Sequence, residues 1–361
     1  MRDYAILQEL TEIIGPSGFE SKVQDYYAGV MHSMGLEISN DSVGNSYALL
    51  SGSPDLPKIM FAAHADTVGF MIKHIDDSGF IFTDDIGGWQ TTDYRSHPNT
   101  EVSIINRKGM EIRGFFTNEE PLHNLSDAEM EESIIRRDLY IDIGVKDEEQ
   151  TRKFVKEGDY AVFTPKFRQI GDSGTRIIST NLDDRLGLFI LTRIADAIIG
   201  SRKKHGDIVF VSTVGEEVYS GFAGSAAATV QPDVAIVVDT DMSVDQIHSQ
   251  ALDNTFKELG RVMMGNGPVM QRGLGTHDKL FLIMENLADR KKVPYQIEVG
   301  DGCTDAVPIM SAFKGTRTLP LLIPCRNLHS PIETCLTNDI EKGIDLCTEA
   351  CYEIVKKREE L

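Results

Sequence analysis

Hydrophobic residues along this chain recur in two periods, and the alternation between them lays out an architecture. Near the start, Ile6, Leu10, Ile13 and Ile14 fall at helical spacing before Gly15-Pro16 breaks the run. Ser17 with Glu20 reads as a capping box opening a second helix, with Val23, Tyr26, Tyr27, Val30 and Met34 as its buried stripe and Gly35 at its end. Short apolar runs at 47–50 and 59–63 lack strict alternation, as expected of strands covered on both faces. The runs at 207–213 and 234–238 repeat that pattern, and 186–199 reads as a packed helix between such runs. Near the C-terminus Ile340, Ile344, Cys347, Cys351 and Ile354 share one helical face, and Lys356, Lys357 and Arg358 occupy the last turns, where cations suit the helix dipole. Strands alternating with helices predict an α/β fold, a sheet covered by helices on both faces.

One stretch departs from this pattern. Residues 71–165 are strand-like and turn-rich, with runs at 70–75, 80–82, 102–105, 110–116, 139–143 and 160–163 and one acidic helical piece near 127–136. The expectation is a β-rich inserted domain, 71–165, interrupting an α/β domain built from 1–70 and 166–361.

The totals exclude several function classes. At 361 residues, 41% hydrophobic and 25% charged, the chain has globular composition and can bury a large core. Lys plus Arg is 36 against 56 Asp plus Glu, a formal charge of −20 that repels phosphate backbones and anionic bilayers, so neither nucleic acid nor membrane is an expected partner. The opening residues show no apolar leader, and the longest apolar stretch is interrupted by Arg193 and Asp196. Five cysteines, clustered late, make no disulfide framework, and a cytoplasmic location is expected.

The chemistry sits where apolar runs end. His64 and Asp66 follow the run 59–63, and a ligand at the end of a buried strand lies where open α/β sheets build sites. Asp66 could orient the imidazole from behind. Asp183-Asp184 stands at a helix start, where carboxylates serve as caps but can also bridge two metals. Glu216-Glu217 closes the strand run at 214. Two adjacent glutamates repel unless a cation lies between them, so one reads as a metal ligand and the other as a general base, with the order open. Asp239 ends the run 234–238, with Asp241 expected in the loop beyond, and His329 follows another apolar run. This oxygen and nitrogen donor set suits zinc, cobalt or manganese. His32, His205 and His277 lie in polar surroundings and read as surface residues. His74, His97 and His123, inside the insert, lack strand-end carboxylates.

In that order, His-x-Asp, Asp-Asp-Arg, Glu-Glu, Asp and His resemble the tetrahedral (TET) and glutamyl-aminopeptidase-type dinuclear metallopeptidases. The likeness runs nearly end to end, through SGFE at 17–20, Gly44-Asn45, IGGW at 86–89, YIDIG at 140–144, VKEGD at 155–159, CTDA at 303–306 and HSPIE at 329–333. The resemblance implies a zinc-peptidase-like catalytic domain and an aminopeptidase using two divalent ions per subunit, zinc first with cobalt or manganese as alternatives. It implies that Asp183 bridges them, that His64 and Asp239 complete one site and Glu217 and His329 the other, that Glu216 is the general base and that Asp66 orients His64. It further implies peptide substrates and a homo-oligomer assembled through the insert, with a dodecamer as the largest expectation. The rival readings are a related dinuclear amidohydrolase (a deacylase or carboxypeptidase) and a catalytically silent scaffold. Three positions depart from the family pattern: Asp184, where relatives often have Asn, Gly215, where they have a larger polar residue, and Cys303 in a loop usually rich in glycine.

Overall fold

The computed structural model describes residues 3–88, 94–118, 126, 132–219, 221–245, 260–300 and 304–361. Strands β1 (Glu37–Asn40), β2 (Ser46–Leu50) and β3 (Ile59–His64) come first. Then follow β4 (Gly69–Ile75), β5 (Ile81–Ile86), β6 (Glu101–Ile105), β7 (Glu111–Asn118), β8 (Leu139–Asp142) and β9 (Tyr160–Phe163). The remainder are β10 (Phe167–Ile170), β11 (Arg176–Ser179), β12 (Ile208–Thr213), β13 (Val234–Met242), β14 (Val269–Gly273), β15 (Gln296–Gly300), β16 (Arg317–Arg326) and β17 (Glu333–Leu336). The long helices are α1 (Ala5–Glu12), α2 (Ser21–Ser33), α3 (Leu182–Ser201), α4 (Gly221–Val230), α5 (Asp278–Lys291) and α6 (Thr337–Lys356).

Eleven strands form one mixed sheet in the order β1-β2-β12-β3-β13-β16-β17-β11-β10, with β14 on β16 and β15 on β14. Its centre, β12, β3, β13 and β16, is parallel. Both faces are covered, and the alternation of β3 and β13 shows it. Ile59, Phe61 and Ala63, with Val234, Ile236 and Val238, pack into the larger core among α1, α2, α3, α5 and α6. Met60 and Ala62, with Ala235 and Val237, pack the other way, against α4 and the short helix Ala306–Ser311. A strand apolar on both faces reads as a continuous run because successive side chains point to opposite sides and neither side meets water.

The insert closes into a six-stranded antiparallel barrel, β4-β5-β8-β7-β6-β9. It has its own core of Phe70, Ile72, Ile104, Phe116, Ile141 and Phe163. His97 belongs inside that core, 1% exposed with its ring edge-on to Phe70 and Phe163. Burial pushes its pKa down to about 4. His74 is exposed, while His123 and residues 127–131 of the acidic piece near 127–136 lie outside the described residues; 132–135 are not helical, and Arg136 opens a single 3-10 turn.

Two local expectations change. Ser17 and Glu20 make no capping box: the Ser17 hydroxyl donates to Asp66 at 2.7 Å, while the Glu20 carboxylate accepts from the Gly18 amide. The buried face of α2 is consequently Val23, Gln24, Tyr27 and Met31, with Val30 and Met34 only half-buried. Asp241 lies within β13, not in a loop after it, because β13 stays paired to β16 as far as Met242–Cys325. Among the described residues no helix is long and apolar enough to cross a membrane.

Candidate active site

The parallel register brings the strand-end residues level with one another. Thr213 pairs with His64 across β12 and β3, and Val237 with Ala62 across β13 and β3. Two residues beyond that pair, His64 and Asp239 emerge on the same face at the C-terminal edge of adjacent strands. From the opposite side, the start of α3 brings Asp183 over that edge. The loop after β16 carries His329, and the turn after β12 carries Glu216 and Glu217.

The Asp183 carboxylate lies between two imidazoles. His64 Nε2 is 3.2 Å from its Oδ1 and 3.7 Å from Asp239 Oδ1. His329 Nε2 is 3.4 Å from Asp183 Oδ2 and 3.2 Å from Glu217 Oε2. Two potential metal-binding triads result, His64–Asp183–Asp239 and Asp183–Glu217–His329, sharing one residue. Glu216 Oε2 stands 4.0 Å from His64 Nε2, beside both.

Each imidazole has its remaining nitrogen occupied. His64 Nδ1 lies 3.1 Å from the Asp66 carbonyl and 3.5 Å from its carboxylate, and His329 Nδ1 lies 2.6 Å from the carbonyl of Gly88. A carbonyl can only accept, so both Nδ1 atoms donate, and Nε2 is the nitrogen turned toward the carboxylates, the one that ligates a metal once its own proton is displaced. Asp66 does more than orient His64. Its two oxygens also accept from the amides of Glu216 and Glu217, at 3.0 and 3.1 Å, and so fix the turn that presents the pair. Gly215 makes that turn possible: its φ is +69°, and a Cβ would press on the Phe222 ring.

The site is short of positive charge. Burial, together with neighbouring carboxylates, raises Glu216 to about 10, Glu217 to about 7 and Asp305 to about 7. Burial alone would lower His329, but Asp183 and Glu217 carry it up to about 12. The nearby Arg185 guanidinium does not neutralise them, since it donates to the backbone carbonyls of Ala65, Leu10, Ile13 and Gly15. Glu217 Oε1 is buried without a hydrogen-bond partner. Convergent carboxylates, two oriented imidazoles and an orphaned acceptor fit a cation-binding centre.

The profile of the M42 glutamyl aminopeptidase family matches residues 44–346. The chain belongs to that family. As an M42 aminopeptidase it is a peptide-bond hydrolase of a metallopeptidase family. Its fold is similar to that of the TET aminopeptidase from the marine sediment archaeon Thaumarchaeota archaeon SCGC AB-539-E09, with a TM-score of 0.86 and 28% identity over 98% of this chain and 96% of that one. The lysyl aminopeptidase of Pyrococcus furiosus is 26% identical over 98% of each chain. The TET1 peptidase of Pyrococcus horikoshii, at 27% identity and TM-score 0.79 over 96% and 98%, can assemble into a tetrahedron or a large octahedral shell, and a dodecamer of PhTET1 has also been solved.

All seven residues singled out in the sequence of this M42 aminopeptidase come together at one sheet edge. Two neighbours, Asp305 and Glu333, carried no sequence signal of their own role, whereas Asp184 fills the capping role expected of a carboxylate at a helix start. Asp305, from the CTDA segment, is 2% exposed, accepts from the Thr213 hydroxyl and has its other oxygen buried without a partner. Asp184 spends both oxygens on backbone amides, those of His64 at 3.3 Å and Gly187 at 2.8 Å. A Cβ on Gly187 would overlap that carboxylate. Glu333, the last residue of HSPIE, is buried at the start of β17. Cys303 and Trp89 lie outside the described residues.

Proposed function

We propose that this M42 aminopeptidase hydrolyses N-terminal peptide bonds at a dinuclear centre bridged by Asp183. The observation that carries the reading is the Asp183 carboxylate, whose two oxygens face two different histidines, each with a second carboxylate beside it. His64, Asp183 and Asp239 would hold one divalent ion, and Asp183, Glu217 and His329 the other. Nitrogen and oxygen donors with no sulfur among them favour zinc, with cobalt or manganese as substitutes.

When bound, such an ion pair acidifies an attacking water and polarises the scissile carbonyl. The protein's own groups do the rest. Glu216, held by the hydrogen bond that its backbone amide donates to Asp66, takes one proton from the water as the water oxygen adds to the carbonyl carbon. The carbon–nitrogen bond then breaks, and Glu216 returns that proton to the leaving amine. Burial and the carboxylates of Asp239, Asp305 and Glu217 hold the Glu216 pKa high against the opposing pull of His64, and added positive charge would lower it and make the carboxylate available as a base. Asp66 holds His64 and the Glu216-Glu217 turn in one geometry.

We further propose that the barrel is the assembly module of a homo-oligomer, with a dodecamer as the reference state, because shell-forming relatives match this chain over nearly its whole length. Four cysteines, Cys325, Cys335, Cys347 and Cys351, are buried as free thiols, which suits the reducing cytoplasm. Metal-stripped protein reloaded with zinc, cobalt or manganese tests the activity on matched peptides with free and blocked N-termini. Cleavage of the free-amine peptides alone is expected. Equal cleavage of blocked peptides would point to an amidohydrolase, and absence of turnover with every metal would point to a scaffold.

A further inference from the structure

We infer that Glu333 is a positioning residue that locks the bridging carboxylate and the distal histidine into one unit. The inference rests on the reading of Asp183 and His329 as metal ligands. Glu333 is 3% exposed and lies at the first position of β17, level with Ser179 of β11. Its Oε2 accepts from the amides of Leu182 and Asp183, at 2.6 and 3.1 Å, and its Oε1 accepts from the amide of His329 at 3.0 Å. Three backbone donors from two loops, separated by some 150 positions in the chain, therefore converge on one buried carboxylate.

The two loops need such a tie. Leu182 and Asp183 open α3, where the first amides of a helix have no partner within it. His329 has a φ of +57°, the left-handed region that a non-glycine residue occupies only under strain. Glu333 supplies the acceptor that both places lack, and it does so through the backbone of the ligands, not their side chains. The imidazole and carboxylate of the distal triad are held in register by one rigid group on a sheet strand.

A glutamine cannot replace it. An amide has one acceptor oxygen and one NH2 group, so whichever way it turns, either the Leu182 and Asp183 amides or the His329 amide face another donor. An aspartate keeps both acceptors but is one methylene short. Neither change touches a ligand side chain.

The test is zinc affinity of the folded apoprotein, measured by competition with a chromogenic chelator, for the parent, Glu333→Gln, Glu333→Asp and Asp183→Ala. Circular dichroism at the same temperature establishes that each apoprotein is folded. Glu333→Gln should weaken zinc binding 10–100-fold, the usual effect of losing a group that orients metal ligands, with Glu333→Asp between it and the parent. A purely structural role would lower the apoprotein's melting temperature in both variants and leave the affinity unchanged. Parental affinity in whichever Glu333 variant folds, with zinc lost from Asp183→Ala, overturns the inference and leaves the metal centre standing. Parental affinity in Asp183→Ala would remove the metal centre and this inference with it.

Discussion

The His329 imidazole reaches out of the catalytic sheet and places its Nδ1 2.6 Å from the carbonyl of Gly88, at the exit of the barrel strand β5. The insert holds none of the candidate ligands, yet its backbone sets the tautomer of one of them. Barrel and catalytic centre thus share a polar contact that assembly could reinforce.

The first prediction concerns the barrel. Phe70 of β4 and Ala161 of β9 are register partners, so the chain enters and leaves the barrel side by side and a short linker can bridge the gap. Light scattering should find the full chain in a homo-oligomer and the spliced chain as a monomer. The spliced chain should also bind zinc more weakly, because His329 loses its acceptor. A monomeric full-length protein, or an oligomer that survives the splice, would defeat the assembly role.

Within the glutamate pair the two substitutions should part company. Glu216→Gln should retain zinc while turnover falls roughly 10²–10⁴-fold, the ordinary contribution of a general acid or base. Glu217→Ala should lose zinc from the His329 triad. Metal analysis beside steady-state rates reads both, and the reverse pattern would exchange their roles.

Asp239 and Asp241 point to the same face of β13, two residues apart, and only Asp239 lies near His64. Asp239→Asn should cut zinc content sharply, and Asp241→Asn should leave it near the parental level. Equal losses would make Asp241 part of the centre.

Much of this arrangement was legible because the chain writes buried strands as continuous apolar runs and places a candidate ligand just after several of them. His64 after 59–63 and Asp239 after 234–238 needed no more than that. The end of β13 was misread because the apolar run stops at Val238 while hydrogen bonding to β16 continues through Asp241 and Met242. The capping box failed for a different reason: Ser17 had a better partner in Asp66, 49 residues away. Glu333 was beyond reach, since its partners are backbone amides in distant loops and amides leave no mark on a sequence. The order within Glu216-Glu217 came from family resemblance, and in the structure Glu217 Oε2 faces His329 while Glu216 Oε2 faces His64.

His97 should make the barrel acid-labile. Its folded pKa of about 4 lies below the ordinary value of about 6.5, so protons bind the unfolded chain more readily than the folded one. The stability linked to this group is complete above about pH 6.5 and declines as pH falls, reaching a loss of about 3 kcal/mol near pH 4. Unfolding followed from pH 7 to pH 4 should show a shallower decline in His97→Phe, whose ring suits the surrounding Phe70, Phe116 and Phe163. Parallel curves for the two proteins would show that His97 carries no such linkage.

The most direct measurement is anomalous diffraction at the zinc edge from crystals of the zinc-loaded protein. The account predicts two peaks per subunit about 3.5–4 Å apart, the separation of cocatalytic pairs. One should touch His64 and Asp239, the other Glu217 and His329, with one Asp183 oxygen on each. A single peak, or a pair that leaves Asp183 uncoordinated, would contradict it.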